Sequence, residues 1–240
     1  MLFPSTQNPS GIDTPLSHSP AYAELLALSN YSFLQGGSHP EELVERAQAM
    51  AYAAITISDE CSLAGVVRAH VRAKQIGMPL IIGSQCRMDP DHRANLGDTD
   101  RLLLLAMNRE GYARLSQAIS QARQQAPKGS YRWTKAQWDN GLPGCLAVWV
   151  PAVRFDHAEV RNRQSACPEG LRDLLDCFGE RLYIGAVCHA RGWDQAWTEQ
   201  LQRWSDDTGV SITACGDVRF HRRSRRALTD VLHAIARGLS

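Results

Sequence analysis

The chain has 240 residues, a formal net charge of +1 and 44 % apolar residues. That is too apolar for a disordered segment and too balanced for a polycationic tail, and the length suits one domain or two small ones. No apolar run approaches the roughly 18 residues a membrane span needs, and the opening MLFPSTQNPSGIDTPLSHSP lacks the basic start and long apolar stretch of a secretion signal.

Residues 1–20 carry prolines at positions 4, 9, 15 and 20 and are expected to form a flexible arm. Residues 21–240 read as the folded domain. ELLAL is the first apolar strand. SHPEELVERAQAM then predicts a helix capped by Ser38, with Glu41 as the capping-box partner and Leu43, Val44, Ala47 and Met50 as its apolar stripe. AAITIS is a strand of β-branched character that leads into Asp59-Glu60. A helix over about Leu63–Ile76 is expected to stop at Gly77. PLIIGSQ and RLLLLAM are the next strands, followed by a helix from Arg109 to about Gln124. CLAVWV, RLYIGAVC and VSITAC complete seven strands. Helices over Leu171–Phe178, Asp194–Trp204 and about Ser224–Ala236 follow them in turn.

Strands that are apolar throughout are expected to be covered on both faces, which predicts a parallel sheet wrapped by helices. Seven such units in about 220 residues fit a closed (β/α) barrel better than an open doubly wound sheet. No GxGxxG or GxxxxGK[ST] follows any strand, so a nucleotide-phosphate loop is absent. The seven cysteines are Cys61, Cys86, Cys145, Cys167, Cys177, Cys188 and Cys215. Their odd number and lack of CxxC spacing predict reduced thiols and a cytoplasmic setting. Cys145, Cys188 and Cys215 lie in apolar runs and are expected to fill the core.

In a parallel barrel, functional side chains stand at the carboxyl ends of the strands. Those positions hold Ser29, Asn30 and Gln35 after the first strand, Asp59 and Glu60 after the second, and Gln85 at the third. His189 follows the sixth strand, and Asp217 and Arg219 follow the seventh. Three carboxylates and one histidine on separate loops have no short metal-binding spacing. His189, and His70 within the second helix, are expected to be partly buried and hydrogen-bonded.

The segments NYSFLQGGSHPEELVERAQAM, SDECSLAGVVRAHVRAKQIGMPLIIGSQ, NREGYARLSQAIS and GDVRFHRRSRRALTDVLHAIARG resemble the N-terminal PHP domain of bacterial replicative-type DNA polymerases. The DEC after the second strand and the DVxxHxRSRRAL stretch point to the error-prone branch (the ImuC type), used in damage-induced mutagenesis and translesion synthesis. The resemblance runs from about Tyr22 to Gly238. It implies a distorted seven-stranded (β/α) barrel of the PHP type. In active members, histidines and carboxylates at the rim hold two or three metal ions that activate water for phosphoester hydrolysis.

By that resemblance, the family's opening histidine pair falls on Leu26 and Leu28. The acid of the following loop is Gln35, and the acid-histidine pair after the second strand is Asp59-Glu60. The acid ending the third strand is Gln85, the histidine opening the fourth is Arg101, and the closing Asp-x-His is Asp217-Val218-Arg219. Leucine has no lone pair to offer, an amide is a weak ligand, and Arg101 and Arg219 put permanent cations where dications would sit. The expectation is a rim without metal or other cofactor and without catalytic residues, in which a guanidinium pairs with Asp59 or Asp217. An active PHP phosphoesterase or proofreading nuclease is the alternative.

Arg222, Arg223, Arg225 and Arg226, with Arg219, form a basic cluster suited to DNA backbone or to an acidic neighbouring domain. Trp133, Trp138, Trp149, Trp193, Trp197 and Trp204 are expected to pack in the core or at a partner interface. The resemblance further implies a longer polymerase that uses Mg2+ in another domain. Its partners would be the remaining polymerase domains, DNA, mutasome accessory proteins and a sliding clamp, with no membrane.

Overall fold

The structure is a computed structural model that describes residues 21–88, 99–152 and 167–238. The expected N-terminal arm, residues 1–20, lies outside the described residues.

Seven strands follow one another around a single sheet in sequence order. They are β1 (Ala23–Ala27), β2 (Ala54–Ile57), β3 (Leu80–Arg87), β4 (Arg101–Ala106), β5 (Cys145–Val150), β6 (Leu182–Val187) and β7 (Ile212–Cys215). The helices between and after them are α1 (Pro40–Ala49), α2 (Val66–Ile76), α3 (Arg109–Gln124), α4 (Glu169–Phe178), α5 (Asp194–Thr208) and α6 (Arg226–Ala236). The sheet closes on itself where Ala27 bridges Val218. There Leu28 N–H donates to Val218 O at 2.9 Å, and Val218 N–H donates to Leu26 O at 2.8 Å. The result is a distorted (β/α) barrel.

The expectation of an all-parallel sheet is corrected. β4 runs antiparallel to both β3 and β5, while the other pairs are parallel. The reason is connectivity: among the described residues no helix stands between β3 and β4, and a parallel neighbour needs a crossover of a dozen residues or more, usually helical. The apolar run in β4 reflects burial on both faces whatever the strand direction. Leu103 and Leu105 point into the barrel with Leu26, Val148, Val150, Val187 and Cys215. Leu102 and Leu104 point outward into the layer under the helices, with Trp149, Leu115, Leu171 and Leu201.

Helix boundaries follow local chemistry. The Asn108 side chain accepts from Gly111 N–H at 2.9 Å to cap α3, and Gly77 ends α2 in the left-handed region at φ +71°. Gly111 is required by packing, because a Cβ there would lie 1.9 Å from Gly144 O. The α1 cap is one residue later than expected. His39 is the N-cap and Glu42 its partner. The Ser38 hydroxyl instead meets the His221 ring at 2.7 Å and accepts from His221 N–H at 2.9 Å. That contact ties the start of α1 to the segment before α6.

Trp133, Trp138, Trp149, Trp197 and Trp204 are buried as expected, whereas Trp193 is half-buried outside the core with the Arg191 guanidinium over its ring. Trp149 and Trp204 lie 5.5 Å apart between ring centres, and Trp197 and Trp204 lie 5.8 Å apart. Cys145 and Cys215 are buried, but Cys188 is exposed just past the end of β6, so its expected core role is corrected. Sequence reading also missed Glu24, which is buried in β1. Its carboxylate accepts from Leu26 N–H at 2.8 Å, Gly216 N–H at 3.0 Å and Tyr22 O–H at 2.9 Å. Among the described residues β1 meets the segment after β7 only through the bridge at Ala27 and Val218, so this side chain supplies acceptors at the barrel seam that an uninterrupted ladder would otherwise provide. Burial pushes its pKa up, against those hydrogen bonds.

Candidate functional site

The reversed direction of β4 places its first residue at the same end of the barrel as the last residues of its neighbours. Arg101 pairs with Arg87 at the end of β3 and with Val150 at the end of β5. Its guanidinium therefore enters the rim, and Arg101 is only 7 % exposed. One Nη donates to Asp217 Oδ1 at 2.7 Å and to Gln85 Oε1 at 3.2 Å. Arg219 closes on Asp217 from the other side, with Nη2 at 3.2 Å from each carboxylate oxygen. Asp217 itself sits at φ +50°, a left-handed conformation unusual for a residue other than glycine. Burial alone would raise its pKa, but the two guanidinium groups hold it well below the usual carboxylate range.

Asp59 is held differently. It accepts from Ser29 N–H at 2.8 Å, Ser29 Oγ–H at 2.7 Å and Ser32 Oγ–H at 2.8 Å. No arginine reaches it among the described residues, so the expected guanidinium pairing holds for Asp217 and not for Asp59. Burial raises the Asp59 pKa and outweighs the serine hydrogen bonds. A neutral isostere should therefore be tolerated. Asp59→Asn retains an acceptor for Ser29 N–H and Ser32, and its amide can donate to Ser29 Oγ. Its melting temperature at pH 7 should lie within about 3 °C of the parent, which corresponds to roughly 1 kcal/mol, as differential scanning fluorimetry would show.

Glu60 forms a third cluster. It accepts from Arg87 Nε at 2.5 Å, from Tyr131 O–H at 2.6 Å and from the Gln35 side-chain amide. Burial would raise its pKa, but Arg87, Tyr131 and Gln35 together hold it below the usual value. Gln85 links the clusters. Its amide N–H donates to Ser58 O at 3.0 Å while its oxygen accepts from Arg101. Arg87 and Tyr131 were missed in the sequence. The available signal was the strand alternation that puts positions 85 and 87 on one face.

Leu26 and Leu28 are 0 % and 1 % exposed, so the strand that leads to the rim is sealed with hydrocarbon. His189 is exposed past the end of β6 and has no hydrogen-bond partner among the described residues, and His70 is exposed on α2. The expectation of partly buried, hydrogen-bonded histidines is thus corrected for both. The basic cluster divides. Arg219 is engaged at Asp217, and Arg225 pairs with Glu42 at 2.7 Å. Arg226 lies 3.7 Å from Asp230 on the surface, while Arg222 and Arg223 are exposed with no ion pair among the described residues.

The donor set does not fit a metal cluster. Asp217 is saturated by two fixed cations, Asp59 by three hydrogen bonds, and Glu60 by a third arginine. Gln35 Oε1 is buried without a hydrogen-bond partner, yet it is a single neutral acceptor. Among the described residues no three His, Cys, Asp or Glu side chains are grouped to hold a metal ion, and no helix is long and apolar enough to cross a membrane.

Comparison with known proteins agrees with this architecture. The PHP domain profile matches residues 25–186. The error-prone DNA polymerase of Burkholderia mallei is 42 % identical over 233 residues, which are 92 % of this chain and 21 % of that protein. The error-prone DNA polymerase of Methylococcus capsulatus is 41 % identical over 218 residues, 90 % of this chain and 19 % of that protein. The chain thus spans about a fifth of the length of these curated relatives. A two-domain protein of Bacteroides vulgatus, described as containing a predicted PHP-like metal-dependent phosphoesterase, superposes with a TM-score of 0.58 at 10 % identity, over 88 % of this chain and 55 % of that one. That likeness is one of fold alone. A closed seven-stranded barrel, a polar rim at its carboxyl end and a profile match over most of the described residues lead to one conclusion: the chain belongs to the PHP domain family.

Proposed function

We propose that the chain is the PHP domain of an error-prone DNA polymerase that extends primers past damaged templates, and that this domain braces the polymerase without catalysing phosphoester hydrolysis itself. The observation that carries the non-catalytic part is the Arg101–Asp217–Arg219 cluster. Two guanidinium groups at 2.7 and 3.2 Å from Asp217 supply there the positive charge that a metal would supply, fixed to the protein and unable to ionise a bound water. Similarity over about 90 % of the chain to two error-prone polymerases supports the polymerase part. Mg2+ then belongs to the nucleotidyl-transfer site of the longer enzyme. DNA, a sliding clamp and mutasome proteins are partners of that enzyme, which would act in the cytoplasm in damage repair and induced mutagenesis.

Elemental analysis and turnover assays test the reading. The purified protein, dialysed against zinc and manganese, should retain less than about 0.1 metal ion per chain, as expected for a rim without anionic or imidazole donors to spare. It should not hydrolyse p-nitrophenyl phosphate or the 3′ end of a DNA oligonucleotide. Stoichiometric metal together with turnover abolished by Asp59→Ala would establish the active phosphoesterase instead. Primer extension by the longer polypeptide tests the polymerase part.

A further inference from the structure

Among the described residues, α6 is the helix whose apolar face is least used. Only Thr229 is buried on it, under Gly37 of the β1–α1 loop. Thr229 and His233 face the barrel. Leu228, Val231 and Ile235 follow one another at spacings of three and four, so they form a stripe on the other side. They are 43, 55 and 57 % exposed. An apolar stripe of this kind on a helix is ordinarily buried against another element.

Charge sets the character of what would cover it. Arg222 and Arg223 stand exposed before the helix and Arg237 follows it. The helix carries a single acid, Asp230, already beside Arg226. The stripe is therefore an apolar ridge with cations at both ends that pair with no acid among the described residues. It suits a segment that brings apolar side chains to the middle and carboxylates to the rim. About four-fifths of each matched polymerase lies outside the part that this chain matches.

We propose that the outer face of α6 is a docking seat for an acidic, apolar-faced segment of the same polypeptide outside residues 1–240, with Leu228, Val231 and Ile235 as the buried ridge and Arg222, Arg223 and Arg237 as its charged ends. This rests on the reading of the chain as one domain of a longer polymerase. It assigns to the basic region a role in interdomain contact, and DNA contact is the competing outcome.

Hydrogen exchange at the α6 amides, compared between residues 1–240 and the longer polypeptide, tests it. Exchange should slow about tenfold or more in the longer polypeptide, because covering the helix suppresses its local opening. Val231→Asp should abolish that slowing, and Arg222→Glu with Arg223→Glu should reduce it. Val231→Asp should leave the melting temperature of residues 1–240 unchanged, since Val231 is more than half exposed. Equal exchange rates in the two proteins would overturn the proposal. So would slow exchange already present in residues 1–240, a concentration-dependent dimer of residues 1–240 that protects α6, or protection that appears only when DNA is added. A longer polypeptide that covers α6 but does not extend primers would support the docking seat and overturn the polymerase reading. One that extends primers with α6 uncovered would do the reverse.

Discussion

Asp217→Ala should destabilise the domain by about 3–5 kcal/mol, because removing one member of a buried charge cluster leaves the others uncompensated. In this case Arg101 and Arg219, with side chains 9 and 17 % exposed, would face each other across the vacated carboxylate. For a chain of this length the melting temperature should drop by roughly 6–20 °C. Replacing all three by leucine removes the repulsion along with the attraction. The triple variant should melt well above Asp217→Ala, as buried charge clusters exchanged for hydrocarbon commonly do. If the two variants melt together, the cluster is not the electrostatic unit described here.

The same carboxylate sets a pH dependence. The folded pKa of Asp217 lies below its unfolded value. The stability it contributes is therefore fully present above the unfolded pKa of about 4 and is lost as pH falls below that value toward the folded one. The gap in urea midpoint between the parent and Asp217→Ala should stay constant from pH 7 to about pH 4 and narrow in more acidic buffer. Asp59 acts with the opposite sign. Its folded pKa is raised, so its contribution is larger in acid and declines as pH rises through the interval between the unfolded and folded values. Acid unfolding of the parent should then be traceable to Asp217 and Glu60 rather than to Asp59.

Glu60→Ala is expected to be comparably severe. Glu60 is 6 % exposed. Its loss strips acceptors from the buried Tyr131 hydroxyl, from the Gln35 amide and from Arg87, a side chain only 18 % exposed. A buried charge left alone costs about 3–5 kcal/mol, and each orphaned neutral donor adds about 1–3 kcal/mol in the limit where no water reaches it. A loss of at least 3 kcal/mol in chemical denaturation is expected. Combining Glu60→Ala with Arg87→Met should recover part of it, and the double-mutant cycle should give a coupling of about 1–3 kcal/mol. Strict additivity would show that Arg87 is satisfied by solvent and that Glu60 matters for Tyr131 and Gln35 alone.

These effects bear on how much of the site was legible in the chain. Leu26, Leu28, Gln85 and Arg101 could be recognised as departures from a ligand set because the resemblance to the PHP domain aligns them with its ligand positions, and the apolar strands around them fix that alignment. Strand ends are local features, fixed by where the hydrophobic run stops. The partner of each charged group was not local. Arg101 and Asp217 are 116 residues apart, and position alone allowed Arg101 to pair with Asp59 as readily as with Asp217. Ser29 and Ser32 take Asp59 first because the loop after β1 folds its N–H and hydroxyl groups onto that carboxylate. Glu60 looked like part of a possible ligand pair, but Tyr131, from the segment after α3, makes it a packed structural anion.

The amino-acid sequence by itself determined the seven strands, nearly all the helices and the stop at Gly77, because apolar periodicity and capping act over a few residues. It also determined that the rim is poor in metal donors, since the side chains at the strand ends are written in the order of the chain. The tertiary structure alone decided that β4 runs backwards and so turns Arg101 into the rim. It also decided that Glu24 closes the seam, that His189 and Cys188 point to solvent, and that α6 keeps an apolar face uncovered. Strand direction, the choice of ion-pair partner and solvent exposure each depend on contacts between residues far apart in the chain. No local pattern encodes which of several allowed partners the closed barrel will bring within reach.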